Sequence, residues 1–203
     1  MVAQRRTQQE RREDTQRRLV DATISCLIEL GYTRLTTTEV CRASGMSQGA
    51  IFKHYPTKFD LVAAAVVRLY DQLVDDYRMA VSDLPPGPEK IRGCLEALVA
   101  LYETPRLMAV FDLHTAARTD PDLQAVMQVV EKPHRENIYR LACDIFPEES
   151  NNPLFVGGIE LLIMAVQGHA VGALALSEPE KKDRLLFSLE LIARHFLEVA
   201  HAD

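Results

Sequence analysis

The sequence predicts an all-α chain of about nine helices, an N-terminal three-helix helix-turn-helix module followed by a C-terminal helical bundle domain. Three observations predict it. Apolar residues recur at three- and four-residue steps, and no stretch alternates as a strand would. Ala, Leu and Val dominate a chain without Trp, which favours helices. Pro, Gly and short hydroxyl or acidic residues fall at the edges of the periodic segments, where helices start and stop.

Leu19, Thr23, Cys26, Leu27 and Leu30 give a first helix, over about 9–30, one apolar face, and Gly31 should end it as an αL cap. Thr36, three residues before Glu39, reads as a capping box that opens a second helix, with Val40 and Ala43 facing inward. Gly45 supplies the positive φ of a sharp turn. Ser47 caps a short third helix that Pro56 ends. Thr57 caps a fourth, which runs to about Val81 along Leu61, Ala65, Leu69 and Leu73. The breaker Leu84-Pro85-Pro86-Gly87-Pro88 follows. Later helices are expected near 89–103, 105–118, 121–146, 153–176 and 180–200, with Ser177 and Glu180 as a capping box and Pro133 kinking or breaking the third of them. By function, residues 1–56 form a DNA-binding domain with a basic N-terminal arm. Residues 57–203 form a ligand-binding and dimerisation domain, with helix 57–81 connecting the two.

The net charge of −6 hides an asymmetry. Residues 1–60 carry ten Lys and Arg against seven Asp and Glu, and the remainder thirteen against twenty-two. Six of the arginines lie between Arg5 and Arg18, in the pairs Arg5-Arg6, Arg11-Arg12 and Arg17-Arg18. A basic head on an acidic body suits an anionic partner such as a phosphate backbone. Cys26, Cys41, Cys94 and Cys143 lie far apart with no CxxC pair, as reduced core cysteines of a cytoplasmic protein would. No apolar signal stretch follows the basic N-terminus. The apolar run from Leu154 to Leu176 is interrupted by Glu160, Gln167 and His169, and reads as a buried packing helix rather than a membrane span.

The most informative stretch runs from Gly31 to Lys58. Gly31-Tyr32 precedes Thr36-Thr37-Thr38, then come Gly45, Ser47-Gln48-Gly49, and finally His54-Tyr55-Pro56-Thr57-Lys58. A recognition helix must be short, with small residues at its start, so that its N-terminus can enter the major groove. Ser47, Gln48, Gly49 and Ala50 meet that need, and Gln48 can read a base edge, most naturally adenine. Lys53 and His54 lie further along the helix, within reach of phosphates or bases. Over about residues 12–65 these residues and their spacing resemble the tetracycline-repressor-like (TetR) family. The resemblance implies a sequence-specific DNA-binding transcriptional regulator, a repressor released by a small-molecule ligand, that binds a palindromic double-stranded operator as a homodimer. It further implies that Lys58 and Thr37 contact phosphates. Phe52 stands where the family often has Tyr, so the phosphate bond of that hydroxyl is missing here.

The last two helices carry small residues (Ala165, Gly168, Gly172, Ala175) and an apolar stripe (Leu185, Leu189, Ile192, Phe196), and the resemblance implies a four-helix dimer interface built from them. Tyr102, Met108, Phe111, His114, Met127, Met164 and Gln167 mix apolar bulk with polar tips, as a ligand chamber or a plain core would. No Gly-rich phosphate loop or nucleophile elbow appears, so neither enzyme activity nor a cofactor is expected. Glu131 with His134, and His195 with Glu198 and His201, have the spacing of metal half-sites, but read as ordinary surface pairs, and no metal is expected. The alternative class is a helical ligand-carrying or interaction protein whose basic arm binds a membrane surface or an acidic partner.

Overall fold

The computed structural model describes residues 7–198; the Arg5-Arg6 pair and His201 lie outside it, as does the side chain of Phe196. Among the described residues there are nine α-helices and no strand. They are α1 (Gln8–Leu30), α2 (Thr37–Ser44), α3 (Gln48–His54), α4 (Lys58–Val81), α5 (Pro88–Tyr102), α6 (Pro105–Ala117), α7 (Pro121–Ile145), α8 (Phe155–Ala173) and α9 (Pro179–Glu198). The chain packs as two compact units, one of residues up to Asp71 together with 108–132, the other of 72–107 together with residues from Pro133 onward.

In the first unit, hydrogen-bonding side chains set most helix starts. Thr7 Oγ1 accepts from the Glu10 N–H while Glu10 reaches back to the Thr7 N–H, a full capping box that opens α1. Thr57 and Asp60 make the same reciprocal pair at the start of α4. At α2 the expected box is half made. Thr36 accepts from the Glu39 N–H, but the Glu39 carboxylate pairs with Arg42 at 2.8 Å, a guanidinium being the stronger partner. Gly31 ends α1 with φ 73° and ψ 166°, so the expected αL cap is corrected to a more extended conformation that is nearly glycine-only. Leu19, Leu27, Val40, Ile51, Leu61, Val62, Val66 and Leu69 form a core almost closed to solvent, each contributing about 1.5–3 kcal/mol by burial. Thr23 is buried among them because its hydroxyl donates to the Leu19 carbonyl at 2.8 Å. Ala43, expected inside, is exposed; on the eight-residue α2 only Val40 is buried.

In the second unit α5, α8 and α9 pack around Leu95, Val99, Val166 and Leu189. α7 runs through Pro133 as a helix, and the passage from one compact unit to the other falls between Lys132 and Pro133. Proline removes one ladder bond there without ending the helix. α8 is shorter than expected and is not a buried helix. It buries Phe155, Gly158, Val166 and Ala170, but leaves Leu161, Met164 and Val171 open on its other side. Among the described residues it is the helix long and apolar enough to cross a membrane.

Candidate nucleic-acid interface

The α2–α3 turn follows from Gly45, whose φ of 68° and ψ of 24° lie in the left-handed region. Its N–H and that of Met46 both donate to the Cys41 carbonyl, at 2.9 and 3.3 Å, closing the end of α2. Ser47 then caps α3, its Oγ accepting from the Ala50 N–H at 3.3 Å. Ile51 is fully buried and anchors α3. With Ile51 inside, Gln48, Gly49, Phe52 and Lys53 are exposed, and Phe52 leaves 47% of its surface open. A large aromatic so exposed has no use within the chain's own core.

Gly49 has no internal reason to be glycine. A Cβ built on it would meet only Ser47 Oγ, at 3.9 Å, an ordinary contact. The Gln48 amide Nε2 donates to the hydroxyls of Thr37 and Thr38, at 3.4 and 3.3 Å. Thr37 is therefore the support of Gln48 in the free protein. Bonds of that length orient the amide without binding it tightly.

Basic groups surround α3. Arg18 donates to the Ser44 carbonyl at 3.1 Å and ties α1 to the end of α2. The half-buried His54 ring is pushed down from its ordinary pKa, first by burial and then by the positive charges of Arg12 and Lys53. Both effects favour the neutral imidazole. Lys58 lies over the Tyr32 ring, 4.7 Å from its centroid. Burial lowers its pKa, and Asp120 opposes that shift.

Tyr32 is the centre of a network that sequence reasoning missed. Its backbone N–H donates to Asp112 Oδ2 at 2.6 Å, and its hydroxyl donates to Asp120 Oδ2 at 2.7 Å. Asp120 caps α7 by accepting from the Leu123 N–H, which together with the Tyr32 bond holds its pKa below the usual carboxylate range. Asp120-Pro121 was legible as a helix start, but nothing in the spacing linked it to a tyrosine eighty-eight residues earlier. In the same unit His114 Nε2 lies 2.5 Å from Glu131 Oε1, which also accepts from the Tyr70 hydroxyl.

The second unit holds a cavity of about 140 Å³, partly open to solvent, whose walls come from α4, α5, α7, α8 and α9, with Leu107 of α6 and Phe146 just after α7. Leu73, Leu98, Ile138, Leu162 and Ile163 are typical of its lining. Of the residues singled out in the sequence as chamber candidates, Tyr102 lines it. Met108, Phe111, His114 and Met127 pack in the other unit, with Met127 buried and His114 exposed. On α8, Met164 is 63% exposed and Gln167 half-buried, neither at the cavity.

The family described as bacterial regulatory proteins, tetR family, matches residues 19–65, the stretch from mid-α1 to the first turns of α4. The HTH-type transcriptional regulator CymR of Pseudomonas putida is 30% identical over 195 residues, spanning 96% of each chain. An uncharacterised HTH-type transcriptional regulator of Mycobacterium tuberculosis is 29% identical over 184 residues, 88% of this chain and 92% of that one. Among solved structures, a transcriptional regulator from Rhodococcus sp. Rha1 superposes with a TM-score of 0.65 at 22% identity, covering 90% of this chain and 96% of the other.

Proposed function

The chain belongs to the tetR family of bacterial regulatory proteins and is a DNA-binding transcriptional regulator, and from that premise we propose that it is a cytoplasmic repressor that a small-molecule ligand releases from its operator. Residues 1–56 form the DNA-binding domain and residues 57–203 the ligand-binding and dimerisation domain, with Lys58 at the start of the connecting helix also reaching DNA. Thr37, Ser47, Gln48, Gly49, Ala50, Phe52, Lys53, His54 and Lys58 form the DNA surface. Within it, Gln48 reads a base and Lys53 and Lys58 meet phosphates. The observation that carries this reading is the outer side of α3. Ser47, Gln48 and Gly49 at its start are exposed, Gly49 has no internal use, and Ile51 holds the helix from behind.

One such helix contacts too little DNA for strong specificity, so the operator is palindromic and the protein a homodimer. The dimer reading rests on uncovered apolar side chains, Leu161, Met164, Val171 and Leu174 on or beside α8 and Phe187, Leu191 and Ile192 on α9. Gly168 and Gly172, exposed on the same α8, permit close helix approach. Ligand release follows from thermodynamics if the ligand binds the non-DNA conformation better. α4 belongs to the first unit up to Asp71 and, from Gln72 onward, to the unit that holds the cavity, so it is one covalent route for that coupling, beside the crossings within α6 and α7.

The test is salt-dependent binding to the chain's own promoter region, before and after saturation of the cavity. Affinity that does not fall with salt would reject the DNA surface. Linkage requires that ligand and operator change each other's affinity by the same factor. A ligand that fills the cavity and leaves operator affinity unchanged would reject release.

A further inference from the structure

The wall of the cavity restricts the charge and the size of what can fill it. No Asp, Glu, Lys or Arg is found among its described lining residues. Its polar groups are Tyr77, Cys94, Tyr102 and His134. Tyr77 already donates its hydroxyl to the Cys94 carbonyl at 3.0 Å. Of the cations next in sequence to lining residues, Arg92, Arg106 and Arg194 are paired with Glu96, Asp76 and Glu190, and Lys90 donates to the carbonyl of Ile145 at 2.5 Å and lies 5.3 Å from the centre of the Phe146 ring. The Glu160 carboxylate, next in sequence to the lining Ile159, accepts the Tyr139 hydroxyl. An ion brought against this wall would give up part of its water and meet no charged lining side chain, which is unfavourable.

Size narrows the class further. An apolar void of roughly 150 Å³ lined by Leu, Ile and Phe takes up benzene, and this cavity, at about 140 Å³, is of that order. We propose that the ligand is an uncharged single-ring molecule, aromatic or alicyclic, carrying at most one hydrogen-bonding group. The inference rests on the ligand-release reading for its biological use, but the binding itself is tested without DNA.

The full-length protein is titrated calorimetrically at neutral pH with toluene, phenol, benzoate and benzylammonium. Toluene or phenol should bind at least tenfold more tightly than either ion. Equal or tighter binding of benzoate overturns the inference, as does equal or tighter binding of benzylammonium. Failure of all four to bind also overturns it. Ala193→Leu adds bulk at the wall and should abolish toluene binding while circular dichroism shows an intact helical fold; unchanged binding would place the ligand elsewhere and overturn the assignment. Should that variant not fold, Leu162→Ala decides instead. It enlarges the cavity and should shift preference about tenfold from toluene toward naphthalene, and an unshifted preference overturns the proposal. Operator affinity is measured separately. If toluene binds and Ala193→Leu abolishes that binding, yet operator affinity does not change, the ligand class stands and ligand release fails.

Discussion

Gly31→Ala should be among the most damaging single-methyl changes in the protein. Gly31 has φ 73° and ψ 166°, a region that residues with a Cβ rarely enter, and forcing alanine there costs about 1–3 kcal/mol. The new methyl would also sit 2.9 Å from Asp112 Oδ2, the atom that accepts the Tyr32 N–H. Tyr32 is 7% exposed, so water does not readily replace a displaced carboxylate, and an orphaned buried N–H costs roughly 1–3 kcal/mol more. The two effects together remove roughly 2–6 kcal/mol from a total stability typically of about 5–15 kcal/mol. Melting followed by circular dichroism should therefore fall by about 5–20 °C. A double-mutant cycle separates the two causes. In Gly31→Ala/Asp112→Ala the collision is gone, so the double variant should lose about 1–3 kcal/mol less than the two single losses added together. A Gly31→Ala protein that melts within a degree of wild type refutes the strain argument. Strict additivity refutes the role of Asp112.

Three further outcomes test the DNA surface and the assembly. Lys58→Ala should weaken binding to all DNA sequences alike and lower the salt slope by about one unit, so that the loss of affinity between 50 and 200 mM salt shrinks by roughly 3.5-fold; an unchanged slope means Lys58 stays on the Tyr32 ring and meets no phosphate. Gln48→Ala should cost ~1–3 kcal/mol on the preferred site and far less on random DNA, and equal losses on both would demote it to a backbone contact. Light scattering should report a homodimer at micromolar concentration, and Leu191→Glu, which puts a charge on the open face of α9, should yield a folded monomer; a wild-type monomer would reject the dimer.

Helix starts and the turn were legible because their signals are local. Thr36, Ser47, Thr57 and Gly45 act within four residues, and each does what its chemistry dictates. What was not legible depends on distant partners. Glu39 could satisfy either its own cap or Arg42, and the charged partner prevailed. Asp112 holds the Tyr32 N–H beside Gly31, and Lys58 lies over the Tyr32 ring, and periodicity can supply neither partner. The chamber residues show the same limit. Met127 and Val166 are equally apolar in the sequence, and only packing decides that both serve as core and that Leu162 and Ile163 line a cavity. The buried reading of α8 failed on one side because a largely apolar helix is the same string whether its second face meets its own chain or another.

Gly49 sets stability against function in one residue. Glycine within a helix is about 0.5–1 kcal/mol less favourable than alanine. Its φ is not positive, and its Cβ position is open except for Ser47 Oγ at 3.9 Å. Nothing inside the chain therefore offsets the cost, and Gly49→Ala should raise stability by about that amount. If the space is kept for a base edge or a sugar, the methyl overpacks an interface, and overpacking of ~1–3 kcal/mol corresponds to a loss of operator affinity of roughly 5- to 150-fold. The variant should thus melt higher and bind worse, a combination that misfolding cannot produce. Both quantities come from one preparation, by thermal melting and by titration of fluorescent operator DNA. A stabilised protein with wild-type affinity would mean that DNA does not approach this side of α3, and the interface would have to be sought on another face.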